Sequence, residues 1–258
     1  MRKTAIMNLK GGTAKTITAI NMAAILARDY AMRILLVDAD SQANLTEFVT
    51  PVDQTLVPGG FADLLRGQEA MPLPTKMKNV KILHGDETLM DLDISSAGCG
   101  RSHPMALDDF LQSPGIRDSF DWCIIDCPPA FSAGAMAALI AADEVVIPLK
   151  LDAFGIRGLA NLMEQIRNMR RINPDLEIAG VLPTMYYSDG VQREAEADLR
   201  GSLARAGIRT FHHITRSAGV DESTFGQRPL IECKPKSKAC HAYKLLCRDL
   251  VNEDGGDF

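Results

Sequence analysis

Residues 10–16 read Lys-Gly-Gly-Thr-Ala-Lys-Thr, and they stand between a short apolar run and an alanine-rich helical pattern. A chain that turns from a strand straight into a helix through such a segment is built to surround an anion. Backbone N–H groups that converge on a polyphosphate need residues with little side chain, because bulk at Cβ keeps the oxygens away. Gly11, Gly12 and Ala14 meet that need, with Thr13 between them. A helix starting near Lys15 aims its positive end at the same phosphates. Lys15 has the reach to bridge the β- and γ-phosphates, and Thr16 offers a hydroxyl to Mg²⁺. Ile17 follows in the first turn of that helix.

The rest of the chain repeats this alternation. Strands are expected at residues 4–8, 33–37, 80–83, 122–125, 144–148, 178–182 and 208–211. Helices are expected at 15–28, 132–142, 155–172, 190–206 and 237–251. The strands are unbroken apolar runs, as a sheet covered on both faces requires. This is an α/β, P-loop NTPase pattern: a mostly parallel twisted sheet with helices on both faces. All of residues 1–258 read as a single domain, its acidic tail 252–258 frayed. The proline-containing stretch 50–77 is expected to wander over the surface with a short helix at 61–66. Residues 95–104 read as a loop.

Two strands end in aspartate. Leu35-Leu36-Val37-Asp38-Ala39-Asp40-Ser41-Gln42-Ala43-Asn44 follows the second, and Cys123-Ile124-Ile125-Asp126-Cys127-Pro128-Pro129 a later one. Ligands in parallel sheets sit at these carboxyl ends. Carboxylates there suit a hydrated Mg²⁺ and the positioning of an attacking water.

These three segments resemble the deviant Walker A, switch I and switch II motifs of the ParA/MinD superfamily, and more closely its ParA/Soj-type partition ATPases. The first reads K-G-G-x-x-K-[ST]. The second is similar to D-x-D-P-Q-x-N, with Ser41 for proline, and the third to I-I-D-x-P-P. The resemblance continues through Ala141–Pro148 with Gly155 and Gly158-Leu159, and through 214–250. It implies ATP and Mg²⁺ as cofactors and weak intrinsic ATPase turnover. Lys10 is then the signature lysine that reaches the partner's nucleotide in an ATP-bound homodimer. Asp40 orients the hydrolytic water, Asp38 and Asp126 support Mg²⁺ through water, and adenine lies near Thr184, Met185 and Thr215. Ala14 stands where glycine is usual, a methyl group that a negative φ would tolerate.

The resemblance further implies nonspecific DNA binding by the ATP dimer, stimulation by a DNA-bound, ParB-like partner, and a plasmid, chromosome origin or mobile element as cargo. Formal net charge is −5, yet from Arg193 to Arg248 there are 11 Lys/Arg against 6 Asp/Glu. Arg193, Arg200, Arg216, Lys236, Lys238 and Lys244 are the candidate phosphate contacts. Thr215 replaces a proline, and Gly219 an arginine, of the family's I-P-R-x-x-R segment. No extra DNA-binding domain is expected before Thr4.

Six cysteines without a C-x-x-C pair, no signal peptide and no apolar run near the roughly 18 residues of a membrane span point to a reduced, cytoplasmic protein, nucleoid-associated where DNA binding holds. The acidic tail lacks the basic amphipathic helix of a membrane switch. An iron–sulfur reductase would need Cys99 and Cys127 as ligands, but Cys127 lacks that branch's spacing and flanking glycines. A positioner of protein cargo remains a second reading.

Overall fold

The computed structural model describes residues 1–51, 58–94 and 102–253. Its centre is a seven-stranded sheet. The strands are β1 (Arg2–Ile6), β2 (Ile34–Asp38), β3 (Leu73–Pro74), β4 (Val80–Leu83), β5 (Trp122–Asp126), β6 (Glu144–Lys150) and β7 (Glu177–Thr184). Their order is β3-β4-β2-β5-β1-β6-β7, and every pairing but β3–β4 is parallel. The expected α/β class, with a mostly parallel sheet and helices on both faces, is the one observed.

Alternate residues of each strand enter opposite cores. Ala5, Leu35, Val37, Ile125 and Val145 face one. That side is covered by α3 (Phe61–Leu65), α4 (Leu89–Ile94), α5 (Ala106–Gln112), α7 (Ala133–Ala141) and α8 (Ala153–Met169). Ile6, Leu36, Ile124 and Val146 face the other, with α1 (Lys15–Asp29), α11 (Leu230–Cys233) and α12 (Lys238–Glu253). Helix α7 is rich in alanine and glycine, six of its nine residues, where it lies close to the chain after β2. A Cβ on Gly134 would stand 2.6 Å from the Ala39 carbonyl oxygen. Helix α8 buries Leu159, Leu162, Met163, Ile166 and Met169 on one face, as its 3.6-residue spacing requires. Helix α9 (Gly190–Arg205) is capped by Asp189, whose side chain accepts from the Gln192 N–H at 2.7 Å.

Three expectations change. Residues 208–211 do not form a strand: they run beside β7 through a single bridge, Val181 with Thr210. The close approach needs Gly180, where a Cβ would sit 2.7 Å from the Phe211 ring. The stretch 50–77 does contribute to the sheet, through β3 on the edge. Several short helices went unread: α2 (Asn44–Val49), α4, α5, α6 (Pro114–Arg117), α10 (Ala218–Phe225) and α11. Each has eight residues or fewer, too short for an apolar period to stand out. The loop expected at 95–104 lies outside the described residues as far as 101. Of the tail, 252–253 belong to α12, and 254–258 lie outside the described residues.

Opposite the strand carboxyl ends, the sheet is locked by a buried charge. Glu144 is 7% exposed. It accepts from Arg2 Nε at 2.9 Å, Arg2 Nη2 at 2.7 Å and Thr4 Oγ1 at 2.6 Å. The Trp122 indole N–H donates to Thr4 Oγ1 at 2.8 Å, and the Arg2 guanidinium lies 4.6 Å from the Trp122 ring centre. One cluster therefore ties β1, β5 and β6 together. Removing the carboxylate strands a largely buried guanidinium. Glu144→Gln is expected to lower stability by about 3 kcal/mol, read as a lower urea midpoint at unchanged slope. An unshifted midpoint would show that the cluster contributes nothing.

Candidate functional site

Strand β1 ends between β5 and β6, and the chain then passes through Asn8 into the glycine loop. Asn8 is buried and holds the turn from both sides. Its Nδ2 donates to the Pro148 carbonyl at 2.7 Å, and its Oδ1 accepts from the Lys10 N–H at 3.0 Å. Sequence reading passed over this residue. The loop beyond is open on its outer side. Gly11 and Gly12 are exposed, and no atom lies within 4 Å of where either Cβ would stand. Gly12 has φ 70°, a left-handed conformation natural to glycine.

Ala14 also adopts the left-handed conformation, at φ 66°, ψ 31°. The negative φ that would tolerate the methyl group is not the one the loop adopts. The turn into α1 is dictated by the strand before and the helix after, and the alanine methyl is carried into a region that glycine occupies without penalty. Behind it, Lys15 is buried and curls over the loop, its Nζ donating to the Lys10 carbonyl at 3.0 Å. Burial pushes its ammonium pKa down, against the pull of Asp126 and Asp40. Ile17 is half-buried in the first turn of α1 and packs against the core beneath.

Asp38 and Asp126 face each other across β2 and β5 as Cα partners. Both are buried. Asp38 is fully engaged: Oδ2 accepts from the Thr46 N–H at 2.8 Å and the Thr46 hydroxyl at 2.7 Å, and Oδ1 from the Asp40 N–H at 3.3 Å. Burial still raises its carboxyl, to about 6. Asp126 is raised well above the usual carboxylate range by burial and by the Asp38 charge, with the Thr16 hydroxyl bonded to it in opposition. Its Oδ1 is buried with no hydrogen-bond partner. An orphaned carboxylate oxygen next to the Thr16 hydroxyl fits a hydrated Mg²⁺. Asp40 is half-exposed, with Oδ1 accepting from the Gln42 N–H at 3.0 Å.

Lys10 leans away from the loop toward α8. Its Nζ is 3.7 Å from Asp152 Oδ1 and 5.1 Å from the centre of the Phe154 ring, which is 70% exposed. On the other flank the Thr184 hydroxyl donates to the Thr13 carbonyl at 3.1 Å, so the end of β7 touches the loop. Met185 follows at φ 52°, and Tyr186 bridges to Thr215. Thr184, Met185 and Thr215 thus lie along one flank of the loop.

The basic candidates divide. Arg193, Lys236, Lys238 and Lys244 line one groove of about 740 Å³ beside Thr215. Among the described residues no aspartate or glutamate lines it. His212, His213 and His241 do, and none of them was read from the sequence as a contact. Ser237 accepts from the Cys240 N–H at 3.1 Å and so starts α12, which fixes Lys236 and Lys238 on either side of the helix start. Lys244 is paired with Asp29 at 3.0 Å. Arg216 is exposed and donates to the Tyr187 hydroxyl. Arg200 is otherwise committed: it binds Glu196 at 2.7 Å and the Thr210 and Phe211 carbonyls at 2.9 Å, holding the 208–213 segment to α9. Its guanidinium is a structural clamp. Cys127 is buried, its thiol pushed up by burial and by Asp126, the environment of an inert packing sulfur. Cys99 lies outside the described residues.

The conformation of Ala14 sets up a test. Ala14→Gly is expected to raise stability by about 1 kcal/mol, because glycine takes a left-handed φ without the Cβ penalty. Thermal unfolding without nucleotide reads this directly, and a fall in stability would mean that the loop sits at negative φ.

Comparison with known proteins joins these observations. A family model described as an AAA domain matches residues 1–178. The chromosome-partitioning ATPase Soj of Thermus thermophilus is 31% identical over 255 residues, 97% of this chain and 96% of Soj. Among solved structures, apo McdA of Cyanothece is 22% identical at a TM-score of 0.83, covering 97% of this chain and 99% of that one. The cobyrinic acid a,c-diamide synthase of Mycobacterium smegmatis, with a bound ATP analog and magnesium, is 28% identical at a TM-score of 0.80, covering 98% and 95%. Likeness at that level, spread over nearly the whole of both chains, makes this protein a member of the ParA/Soj-type partition ATPases of the ParA/MinD superfamily.

Proposed function

We propose that the protein is an ATP-driven dimerising switch that partitions or positions a DNA cargo. The observation that carries this reading is the basic groove lined by Arg193, Lys236, Lys238 and Lys244, one strand end away from the phosphate loop. The N–H groups of residues 11–16 and the start of α1 receive the triphosphate, and Lys15 neutralises its outer phosphates. Thr16 and Asp126 hold the hydrated Mg²⁺, which screens the phosphate charge. Asp38 stands behind them and Asp40 orients the attacking water. Thr184, Met185 and Thr215 flank the adenine.

Lys10 is the group that a second copy completes. Among the described residues its ammonium is tethered by a partly exposed contact with Asp152 and by an exposed ring. Such contacts are worth little in water, so the side chain is free to exchange Asp152 for the partner's nucleotide. Lys10→Ala is therefore expected to bind ATP with near wild-type affinity yet remain monomeric by sedimentation. An ATP-dependent dimer in that variant would remove the trans role.

For DNA, the groove supplies Arg193, Lys236, Lys238 and Lys244, with Arg216 beside it; Arg200 has no part. A duplex backbone asks for clustered cations and an absence of carboxylates, and binding of this kind carries no sequence information. A DNA-bound protein of the ParB kind would then stimulate hydrolysis and release the dimer. Among the described residues no helix is long and apolar enough to cross a membrane.

Binding to random-sequence duplex is expected with ATP and not with ADP. Lys236→Ala with Lys238→Ala should weaken it and reduce the slope of log affinity against log salt by about 2, close to 0.9 per lost phosphate contact. An unchanged slope would place the DNA elsewhere. ATP-dependent dimerisation without any DNA binding would favour the protein-cargo reading, and would make the loss of an arginine at Gly219 decisive.

A further inference from the structure

One buried chain of hydrogen bonds crosses from the end of β4 to Asp40, and the roles above do not use it. The Gly85 N–H donates to Thr46 Oγ1 at 3.0 Å. The Thr46 hydroxyl donates onward to Asp38 Oδ2 at 2.7 Å, and the Thr46 N–H reaches the same oxygen at 2.8 Å. The other oxygen of Asp38 accepts from the Asp40 N–H at 3.3 Å. Thr46 is 2% exposed and Asp38 is 0% exposed. Position 85 admits only glycine at this distance: a Cβ there would meet the Asp38 carbonyl oxygen at 2.6 Å and the Asp40 carbonyl oxygen at 3.1 Å.

We propose that Thr46 is a positioning residue for hydrolysis. Through Asp38 and seated on Gly85, it fixes the backbone that carries Asp40. Asp40 has no such support of its own. Its side chain is half-exposed and bonded within its own turn, and Ala43, three residues on, is held at a left-handed φ of 50°. A short turn of this kind relaxes unless its neighbours over-determine it. The hydroxyl is the one group that meets both requirements, because it accepts from one side and donates to the other. Valine has threonine's shape and neither capacity. Positioning within a fraction of an ångström governs how well an attacking water is held, whereas nucleotide affinity resides in the loop at 10–16.

This rests on the reading of Asp40 as the water-orienting residue. Thr46→Val is expected to lower single-turnover hydrolysis about tenfold or more, while Mg-ATP and Mg-ADP affinity stay within about twofold. Thr46→Ser, which keeps the hydroxyl, should restore the rate. A Thr46→Val protein that binds ATP and hydrolyses it at the wild-type rate overturns the proposal, as does a Thr46→Ser protein as slow as Thr46→Val. Asp40→Ala, run beside them, separates the two levels. Normal turnover there refutes the role of Asp40, whereas a dead Asp40→Ala next to a normal Thr46→Val refutes the relay alone. Should Thr46→Val not fold, the wild-type protein supplies the answer. With a nonhydrolysable ATP analogue, the Asp40 and Gly85 amides should be protected from hydrogen exchange to the same degree. Fast exchange at Asp40 beside slow exchange at Gly85 overturns the relay.

Discussion

Everything at the catalytic end of this molecule depends on β5 lying between β1 and β2. That pairing makes Asp38 and Asp126 Cα partners and sets both beside the loop that leaves β1. Two carboxylates drawn into one buried place repel each other and lose their hydration, so each resists ionisation. The protein answers the two charges differently. Asp38 receives three hydrogen bonds from its own chain, whereas Asp126 keeps one oxygen bare. The first arrangement suits a structural anchor and the second a cation. The same burial lowers the pKa of Lys15, so groups of both signs resist carrying charge there. A magnesium nucleotide brings the counter-charges that both lack.

Backbone strain is distributed in the same way. Among the described residues, six non-glycine residues have positive φ, and three of them, Ala14, Ala43 and Met185, border the nucleotide loop or switch I. Each carries about 1 kcal/mol of conformational penalty. The surrounding sheet, with its buried Arg2–Glu144–Thr4–Trp122 cluster at the far end, is stiff enough to sustain them. Strain placed where segments must reposition on nucleotide exchange lowers the work of moving them.

How much of this was legible in the sequence follows from the range of each interaction. The loop at 10–16 and the aspartates at 38 and 126 are local signals, a strand end followed by small or acidic residues, and the fold gathers them at the carboxyl ends of β1, β2 and β5. The strand at 208–211 was misread because its apolar run is real but its role is to pack Phe211 against Gly180, 31 positions away in the chain. Arg200 looked like a surface cation because, although its i,i+4 partner Glu196 is local, nothing local announces the carbonyls of Thr210 and Phe211. The left-handed φ of Ala14 was not legible for a related reason: the helix start sets the dihedral, and the residue only tolerates it. Thr46 and Gly85 were invisible, since their meaning lies in a contact across two strands.

The end of β7 draws the two halves of the function together. Thr184 touches the phosphate loop at Thr13, Met185 turns in the left-handed region, and Tyr186 pairs with Thr215 on the wall of the basic groove. Tyr186 also stacks on His213, with ring centres 3.8 Å apart, and His213 is bonded to Glu196 at 3.0 Å. Three consecutive residues therefore span from the nucleotide to the groove without an intervening loop. A displacement of the Thr13 carbonyl on nucleotide binding has a short, packed and hydrogen-bonded route to the groove wall. A contiguous, two-sided contact of that kind is what physical coupling between the phosphate loop and the groove wall requires.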